Sequence, residues 1–416
     1  MKPKQTHKPI LLAPVRDEVS FTAAIDAGAD AVYFGIGELN MRLSSKGINL
    51  KQLPRFVKKA HQKNVLVYIA LNVIVYENEL VRAEKILKQI KKSGVDAVIV
   101  SDFAIISLCQ KLKIPFHLST QVNISNSSEV TFFERLGAKA VVLARECTLP
   151  QIKEIKKKSK IKIEIFVHGA MCVSVSGRCY MSEFTSCKSA NRGECMQPCR
   201  REYEIRDTQT NDELIIGKGY VMSPKDLCTL QILDKVIATG VDILKIEGRS
   251  RSPEYIKTVV SAYRQAIDAV ATKKFNKKLT DELIQKVSQV YNRGFSTGFL
   301  FGAPSSEGWA RISGTASKIK KERLGYVRNY YSKNKIGEIY LEANTLKAGD
   351  KIQIEGPTTG VADFVTPEFW VDDKPTKSAK LKDVVTFKSP FVLRRNDKAY
   401  KITKITEIAK ITEIKN

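Results

Sequence analysis

Cysteines are the residues of this 416-residue chain that point most directly to chemistry, because six of the eight fall within one stretch. Five lie from Cys172 to Cys199, and the sixth is Cys228. The spacing is long and irregular, with six residues between Cys172 and Cys179 and fifteen between Cys179 and Cys195. Zinc ribbons use paired Cys-x2-Cys units, which are absent here, whereas irregular spacing is compatible with thiolates around an iron–sulfur cluster. We therefore predict a metal site, with a cluster favoured over zinc.

A second set of candidates consists of polar residues that follow short apolar runs. Arg145, Lys245 and Arg249 are suited to clamping an anionic substrate, arginine by bidentate hydrogen bonds. Three other residues at such positions are predicted to contact substrate: Asn72, Gln121 and Glu146.

Two further residues of this set suit proton transfer. His168 and Glu247 both follow apolar runs, and imidazole and carboxylate groups are the usual general acids and bases. His168 lies just before Cys172, so it is equally suited to orienting the cysteine-rich loop. We keep both interpretations of His168.

The elements that must position these residues repeat along the first 250 positions. Segments such as GADAVYFG and GVDILKIEGR combine a glycine typical of a helix end with an apolar run typical of a strand buried on both faces. Eight strands are predicted, at 10–14, 31–35, 65–71, 97–101, 115–120, 140–144, 163–167 and 243–247, with helical patterns between most of them.

Eight strands alternating with helices predict an α/β protein with a (β/α)8 TIM-like barrel over 1–315. A doubly wound open sheet is the alternative, but no GxGxxG follows the first strand. Barrel enzymes place their chemistry at the C-terminal ends of the strands, so the polar residues are expected to share one pocket. The cysteine-rich insertion at 169–241 leaves from such an end and is expected to lie over the barrel mouth.

The C-terminal part has a different pattern. Over 320–405, short apolar runs are separated by turns such as Ala348-Gly349-Asp350, which favours a small antiparallel β-barrel. We interpret this module as an RNA-docking domain; a stabilising or dimerising module is the alternative. No function is assigned to the tail at 406–416.

The charge of the chain favours a polyanionic partner. The formal net charge is +25, and lysines and arginines concentrate at 153–162, 273–278 and 318–328. A generally lysine-rich proteome would also produce such an excess. No segment approaches 18 consecutive apolar residues and no signal peptide is recognised, so we expect a cytoplasmic protein without a membrane partner.

Several of these motifs together resemble the U32 family, whose members were historically named peptidases or collagenase-like proteases. The resemblance rests on AAIDAGADAVYFG, HLSTQVN, VVLARE, SPKDLC, KIEGR, YNRGFSTGFLFG and above all the run HGAMC…SGRC…NRGEC…QPCR. It implies a TIM barrel, a 4Fe–4S cluster and oxygen-independent hydroxylation linked to prephenate. By motif match the implied ligands are Cys172, Cys179, Cys195 and Cys228, with Cys199 as an alternative.

The C-terminal module resembles that of the family's tRNA hydroxylation members. This implies hydroxylation at C5 of a tRNA wobble uridine, with tRNA and prephenate as partners. The alternatives are a U32-type peptidase, ribosomal RNA hydroxylation and a non-catalytic RNA-binding protein with a structural metal. Neither HExxH nor GxSxG occurs, which disfavours the peptidase. A homo-oligomer or a paralogous partner subunit is compatible with the sequence.

Overall fold

A computed structural model describes residues 8–42, 47–203, 206–210, 222–312 and 314–405. Parts of the predicted insertion, at 204–205 and 211–221, and the predicted tail at 406–416 lie outside the described residues. The α-helices are Glu18–Asp26 (α1), Leu53–His61 (α2), Leu80–Lys92 (α3), Phe103–Leu112 (α4), Ser127–Arg135 (α5), Leu149–Lys158 (α6), Met181–Ser186 (α7), Leu233–Ile237 (α8), Pro253–Ala271 (α9) and Lys277–Ser288 (α10). None of the helices in these ranges is both long and apolar enough to cross a membrane.

Ten strands build the first sheet. They are Ile10–Pro14 (β1), Ala31–Gly35 (β2), Leu66–Leu71 (β3), Ala97–Val100 (β4), Phe116–Leu118 (β5), Ala140–Val142 (β6), Lys162–Gly169 (β7), Asp226–Cys228 (β8), Ile243–Ile246 (β9) and Phe295–Ser296 (β10). Strands β1 to β7 pair in parallel in chain order, and β9 closes the ring because Leu244 is in register with both Ile165 of β7 and Leu11 of β1. The predicted TIM-like barrel and all eight of its strands are confirmed.

Local signals in the sequence explain how these elements begin and end. The Asp17 side chain accepts a hydrogen bond of 2.9 Å from the Ser20 backbone N–H and so caps α1. The glycine after a helix adopts a left-handed conformation, with φ of +91° at Gly28 and +85° at Gly240. The strands are buried on both faces: one face packs inside the barrel and the other against the helices, as parallel sheets require.

The sheet contains two short strands that the sequence did not predict, β8 within the insertion and β10 after α10. β8 runs antiparallel to the end of β7, where Cys228 pairs with His168 and Leu227 with Gly169. β10 then pairs in parallel with β8. These strands extend the sheet beyond the end of β7. β8 leads the chain out of the insertion and through α8 to β9, whereas β10 follows β9, α9 and α10.

The C-terminal module is a separate antiparallel sheet. Its strands are Ile319–Tyr331 (β11), Ile336–Leu341 (β12), Leu346–Lys347 (β13), Lys351–Gly356 (β14), Gly360–Val365 (β15), Phe369–Val371 (β16), Lys374–Thr376 (β17), Ser378–Ala379 (β18), Val384–Lys388 (β19) and Lys398–Lys404 (β20). Eight of them form one sheet in the order β15-β14-β20-β11-β12-β19-β16-β17, and β13 pairs with β18. Within the described ranges the pairings leave β15 and β17 as edges rather than closing a ring, and the module encloses its own core around Leu324, Ile354 and Phe387.

A partly buried lysine joins this module to the barrel. Lys321 of β11 contacts Glu254 of α9 at 2.8 Å and Glu355 of β14 at 2.6 Å. The Thr22 hydroxyl of α1 also donates a hydrogen bond of 2.6 Å to the Pro357 carbonyl. Burial raises the pKa of Glu355 to about 7. The positive charge of Lys321 opposes this shift, whereas the negative charge of Glu254, which contacts the same lysine, adds to it.

We predict that this carboxyl makes the stability of the folded chain pH-dependent. The folded state keeps the Glu355 proton up to about pH 7, whereas the unfolded state releases it near 4.5, so stability is lost as pH rises through that window. Glu355→Gln should remove roughly 3 kcal/mol of this loss. The measurement is the free energy of unfolding of both proteins across the window; parallel pH curves would contradict the prediction.

Candidate active site

A cavity of about 330 Å³ opens at the C-terminal ends of the barrel strands, beneath the cysteine-rich insertion. Both the strand ends and the insertion contribute to its wall, as the sequence predicts for a barrel mouth. Seven of the eight predicted polar residues line it: Asn72, Gln121, Arg145, Glu146, Lys245, Glu247 and Arg249. His168 does not.

The cavity is strongly cationic. Seven basic side chains line it against two glutamates: Arg42, Arg145, Arg200, Lys245, Arg249, Arg251 and Arg293 against Glu146 and Glu247. Because a small, partly enclosed space strengthens electrostatic interactions, this excess favours an anionic ligand.

Glu247 is the buried counter-ion of this group. Its carboxylate accepts hydrogen bonds from Arg42 at 3.2 Å and from the Tyr33 hydroxyl at 3.3 Å. Burial would raise its pKa, but the charges of Arg42 and Arg249 lead the opposing contributions and lower it to about 2. A carboxylate with so low a pKa is a weak base, so the geometry favours a role in ordering the arginines over the predicted proton transfer.

Two residues at the cavity present buried polar atoms without a hydrogen-bond partner. These atoms are Nε and Nη1 of Arg249 and the hydroxyl of Thr120. Arg249 is only 5% exposed, and its guanidinium lies 5.6 Å from the centre of the Tyr33 ring. Buried donors are normally satisfied, so these are the atoms that a ligand in the cavity would bind.

Arg145 is held in place from both sides. Its Nη1 donates a hydrogen bond of 2.7 Å to the Ala170 carbonyl at the start of the insertion. Its guanidinium also lies over the Phe166 ring at 4.3 Å. Burial lowers the pKa of Arg145, and the negative charge of the nearby Glu247 opposes this shift. The predicted clamp residue is thus fixed before any ligand arrives.

Lys245 reaches the cavity from within the barrel. Its ammonium contacts Glu164 at 2.6 Å, and both side chains are almost fully buried. The second Glu164 oxygen faces Nδ1 of His117 at 4.0 Å, and neither of these two atoms has a hydrogen-bond partner. Burial lowers the pKa of His117 to about 3, so this imidazole is neutral beneath the site.

The predicted substrate-contact residues form an amide network at the rim. The Asn72 amide donates hydrogen bonds to the Gln121 side chain at 3.1 Å and to the Ser119 hydroxyl at 3.3 Å. Its oxygen accepts a bond from the Met41 backbone N–H at 3.3 Å. Glu146 is exposed at the outer edge of the cavity.

Four thiols form one part of the cavity wall: Cys172, Cys179, Cys195 and Cys199. Burial raises the pKa of Cys199, and the three other thiols contribute to that shift, because all four lie near one another. In the described part of the chain, no three histidine, cysteine or carboxylate side chains stand close enough as they are to hold one metal ion.

Cys228 lies elsewhere. Leu227 packs towards Phe166 and Met171, so its strand neighbour Cys228 faces the opposite side, where its sulfur is 4.0 Å from the Tyr263 hydroxyl. Burial raises the pKa of this thiol to about 11. The geometry therefore groups Cys199, the alternative ligand, with the other three and leaves Cys228 in the core.

The predicted role of His168 in proton transfer finds no support in the geometry. Its ring packs between Tyr255, Tyr263 and Phe295, and Nδ1 is 3.4 Å from the Tyr263 hydroxyl. Burial lowers its pKa to about 3. Because β7 shifts register between Phe166 and His168, the side chain turns away from the cavity that Phe166 lines.

Arginines hold the insertion over the mouth. Arg200 donates hydrogen bonds to the Ser223 hydroxyl at 3.1 Å and to the Pro224 carbonyl at 3.0 Å, and it also reaches the Met171 carbonyl. Arg192 pairs with Glu79 in the loop after β3. These bonds tie the ends of the insertion to each other and its middle to the barrel.

Sequence reasoning missed Arg42, Arg200, Arg251 and Arg293 as cavity residues. Arg200 and Arg293 lie in the motifs QPCR and YNRGF, and Arg251 is two positions after Arg249, so a signal was available for these three. Arg42 follows no strand directly, and only the fold brings it to Glu247.

Two of the three basic runs lie at the other end of the barrel. The run at 153–162 spans the end of α6 and the start of β7, and the run at 273–278 follows the end of α9. The third run, at 318–328, falls on β11, where Lys321 and Arg323 are engaged by glutamates. The cationic character of the cavity therefore arises from other residues.

Comparison with known proteins identifies the family. The family model described as Peptidase family U32 matches residues 17–310. This chain belongs to peptidase family U32. It is 39% identical over 399 residues to an uncharacterized protease of Methanocaldococcus jannaschii, covering 94% of this chain and 97% of the relative.

Two further U32 relatives have different names. A collagenase of Porphyromonas gingivalis is 36% identical and covers 95% of this chain and 98% of its own length. The tRNA hydroxylation protein P1 of Bacillus subtilis is 34% identical and covers 88% of each chain. The names of these U32 proteins divide between proteolysis and RNA modification. The choice between these two activities for this chain therefore depends on the residues that line its cavity.

We predict that Glu164→Gln destabilises this U32 protein by about 3 kcal/mol, because it leaves the Lys245 ammonium buried without a charged partner. The free energy of unfolding in urea measures the effect. Adding Lys245→Met should recover most of the loss, since the unpaired charge is then gone. Equal stability of the single variant and the parent would show that the pair has no such role.

Proposed function

We propose that this protein hydroxylates RNA at C5 of a pyrimidine, with the wobble uridine of tRNA as substrate, a 4Fe–4S cluster as cofactor and prephenate as co-substrate. The observation that carries the proposal is one cavity with four thiols on one part of its wall and buried, unsatisfied arginine nitrogens on another. The tRNA hydroxylation protein among the relatives supports it.

The thiols fit the proposed cofactor by their chemistry. Four thiolates are the usual ligands of a 4Fe–4S cluster, and Cys172, Cys179, Cys195 and Cys199 all border the same space. The surrounding cations would stabilise their deprotonated forms. A bound cluster would supply electron-transfer chemistry at the barrel mouth.

The cations fit the proposed co-substrate. Prephenate carries two carboxylates, and planar guanidinium groups bind carboxylates bidentately. Arg249 offers Nε and Nη1, two unsatisfied charged donors on different edges of its guanidinium, each able to donate to a carboxylate oxygen. Arg145 and Lys245 are fixed by Phe166 and Glu164 and are assigned to the second carboxylate.

The position of the cavity fits an unpaired nucleotide. It opens at the barrel mouth, and an anticodon loop can turn a base outward without breaking a duplex. The amide network of Asn72 and Gln121 at the rim offers donors and acceptors to a base edge.

The cavity disfavours the peptidase. A cysteine nucleophile needs a base within hydrogen-bond reach, and no histidine of the described residues lines this space. His117 lies beneath the site and His168 outside it. The four thiols therefore lack the imidazole that activates a cysteine protease.

The first test is nucleoside mass spectrometry of total tRNA from cells with and without the gene. We expect 5-hydroxyuridine-type nucleosides to disappear on deletion and to return with the parent protein but not with Cys195→Ala. An unchanged tRNA profile with loss of a hydroxylated nucleoside from ribosomal RNA would support the ribosomal alternative. Unchanged profiles of both, with inhibitor-sensitive peptide turnover, would support the peptidase.

The same complementation distinguishes the fourth ligand. We expect Cys199→Ser to lose both the modification and bound iron with acid-labile sulfide, and Cys228→Ser to retain both. Cys187→Ser, in an exposed thiol of the same insertion that does not line the cavity, is the control. The opposite result for Cys199 and Cys228 would assign the ligand set that the family motif implies.

We further predict that Arg249→Gln weakens prephenate binding by about tenfold to a hundredfold, since it removes charge-assisted hydrogen bonds to a carboxylate. Calorimetric titration of the folded protein measures it directly. Arg82→Gln, which changes an exposed arginine paired with Glu38 on the barrel surface, should leave the affinity unchanged. Equal binding by the Arg249 variant would remove this residue from the site.

A further inference from the structure

Exposed apolar side chains concentrate around the cavity mouth. Of sixteen large ones exposed among the described residues, eight lie on segments next to the mouth: Ile74, Tyr76, Val173, Val175, Tyr180, Phe184, Met196 and Phe301. Five of these eight belong to the insertion. Scattered exposed apolar residues are ordinary, but a concentration in one segment marks a binding surface.

Tyr180 and Phe184 form the core of this surface. Tyr180 directly precedes α7 and Phe184 lies within it, and their ring centres are 6.2 Å apart. Tyr180 is 64% exposed and Phe184 is 86% exposed, so neither ring contributes much to packing. The helix instead buries Ser182, and Cys179, Met181 and Ser182 face the cavity. The segment thus has one face in the site and one aromatic face in solvent.

We infer that Tyr180 and Phe184 are a stacking platform for unpaired bases of RNA that flank the base in the cavity. This inference rests on the proposed function and deepens it by naming a surface that receives the neighbouring nucleotides. Aromatic rings stack on any base, because every base has a π face, and an RNA loop presents several unstacked bases in succession.

The charges around the platform favour RNA over a protein partner. Arg178, Lys188 and Arg201 are exposed on the same insertion against the exposed Glu183 and Glu202, and the cavity beside it carries seven basic side chains against two glutamates. Single-stranded nucleic-acid sites combine such positive charge for the backbone with aromatic rings for the bases. An apolar protein interface would instead be depleted of charge at its centre.

The test uses the full-length protein and an end-labelled synthetic RNA hairpin with an anticodon-type loop, and measures binding by fluorescence anisotropy. We expect Phe184→Ala and Phe184→Leu to weaken binding by about tenfold each, because both remove the ring. Phe184→Tyr should bind as the parent does. Phe132→Ala, which removes an exposed ring of α5 away from the mouth, is the matched control. A continuous duplex of the same stem should show no effect of any variant.

The possible outcomes test the stacking platform and the proposed RNA function separately. If Phe184→Ala binds the hairpin as tightly as the parent does, or if Phe184→Leu restores the affinity lost in Phe184→Ala, the platform is overturned. The proposed RNA function still stands in that case if the parent binds the hairpin more tightly than the duplex. A parent protein that binds hairpin and duplex equally would overturn both. Loss of self-association in Phe184→Ala, with unchanged RNA affinity, would assign the surface to a second copy of the chain.

Discussion

Electrostatic repulsion is the constraint on which this site depends. Two like charges 4 Å apart cost about 4 kcal/mol at an effective dielectric constant of 20, and seven cationic side chains share one small cavity here. Buried anions offset part of this cost: Glu164 pairs with Lys245 at 2.6 Å, Asp226 pairs with Arg293 at 3.1 Å, and Glu247 faces the other arginines. The Glu247 pKa of about 2 reflects the positive charges around it. The neutralisation is incomplete, and Arg249 keeps two nitrogens unsatisfied. A bound anionic ligand would offset more of the repulsion between these cations, as Glu247 does.

The same residue links the barrel to the insertion. The Glu247 backbone N–H donates a hydrogen bond of 2.8 Å to the His168 carbonyl, so β7 and β9 touch where the insertion leaves. Gly169 sits at this point with φ of +110°, and a Cβ there would lie 2.4 Å from the Glu247 carbonyl oxygen. Glycine is required by this close approach. The next two carbonyls, of Ala170 and Met171, receive Arg145 and Arg200, so one chain exit positions Glu247 and two cavity arginines.

The barrel could be predicted from sequence because its strands are short apolar runs preceded by helix-ending glycines, and these signals are local. The cavity could be predicted in part, because strand ends of a closed barrel converge whatever their exact bounds. Sequence pattern and structure differ where side-chain direction is not a local property. A register shift in β7 turns His168 outward, and the three-residue strand β8 directs Cys228 into the core. Arg42 belongs to a loop whose path only the tertiary fold determines.

The net charge of the chain does not locate its cationic cavity. Lys156, Lys157 and Lys158 lie in the last turn of α6, where a positive charge is favourable beside the helix dipole, and Lys273 and Lys274 follow α9; these positions lie at the end of the barrel opposite the cavity. Helix α9 begins near the mouth and its 19 residues span about 28 Å, which separates its terminal lysines from the site. Under the proposed function, the charge that matters for recognition is the smaller set at the mouth, where buried arginines, thiols and exposed rings lie close together.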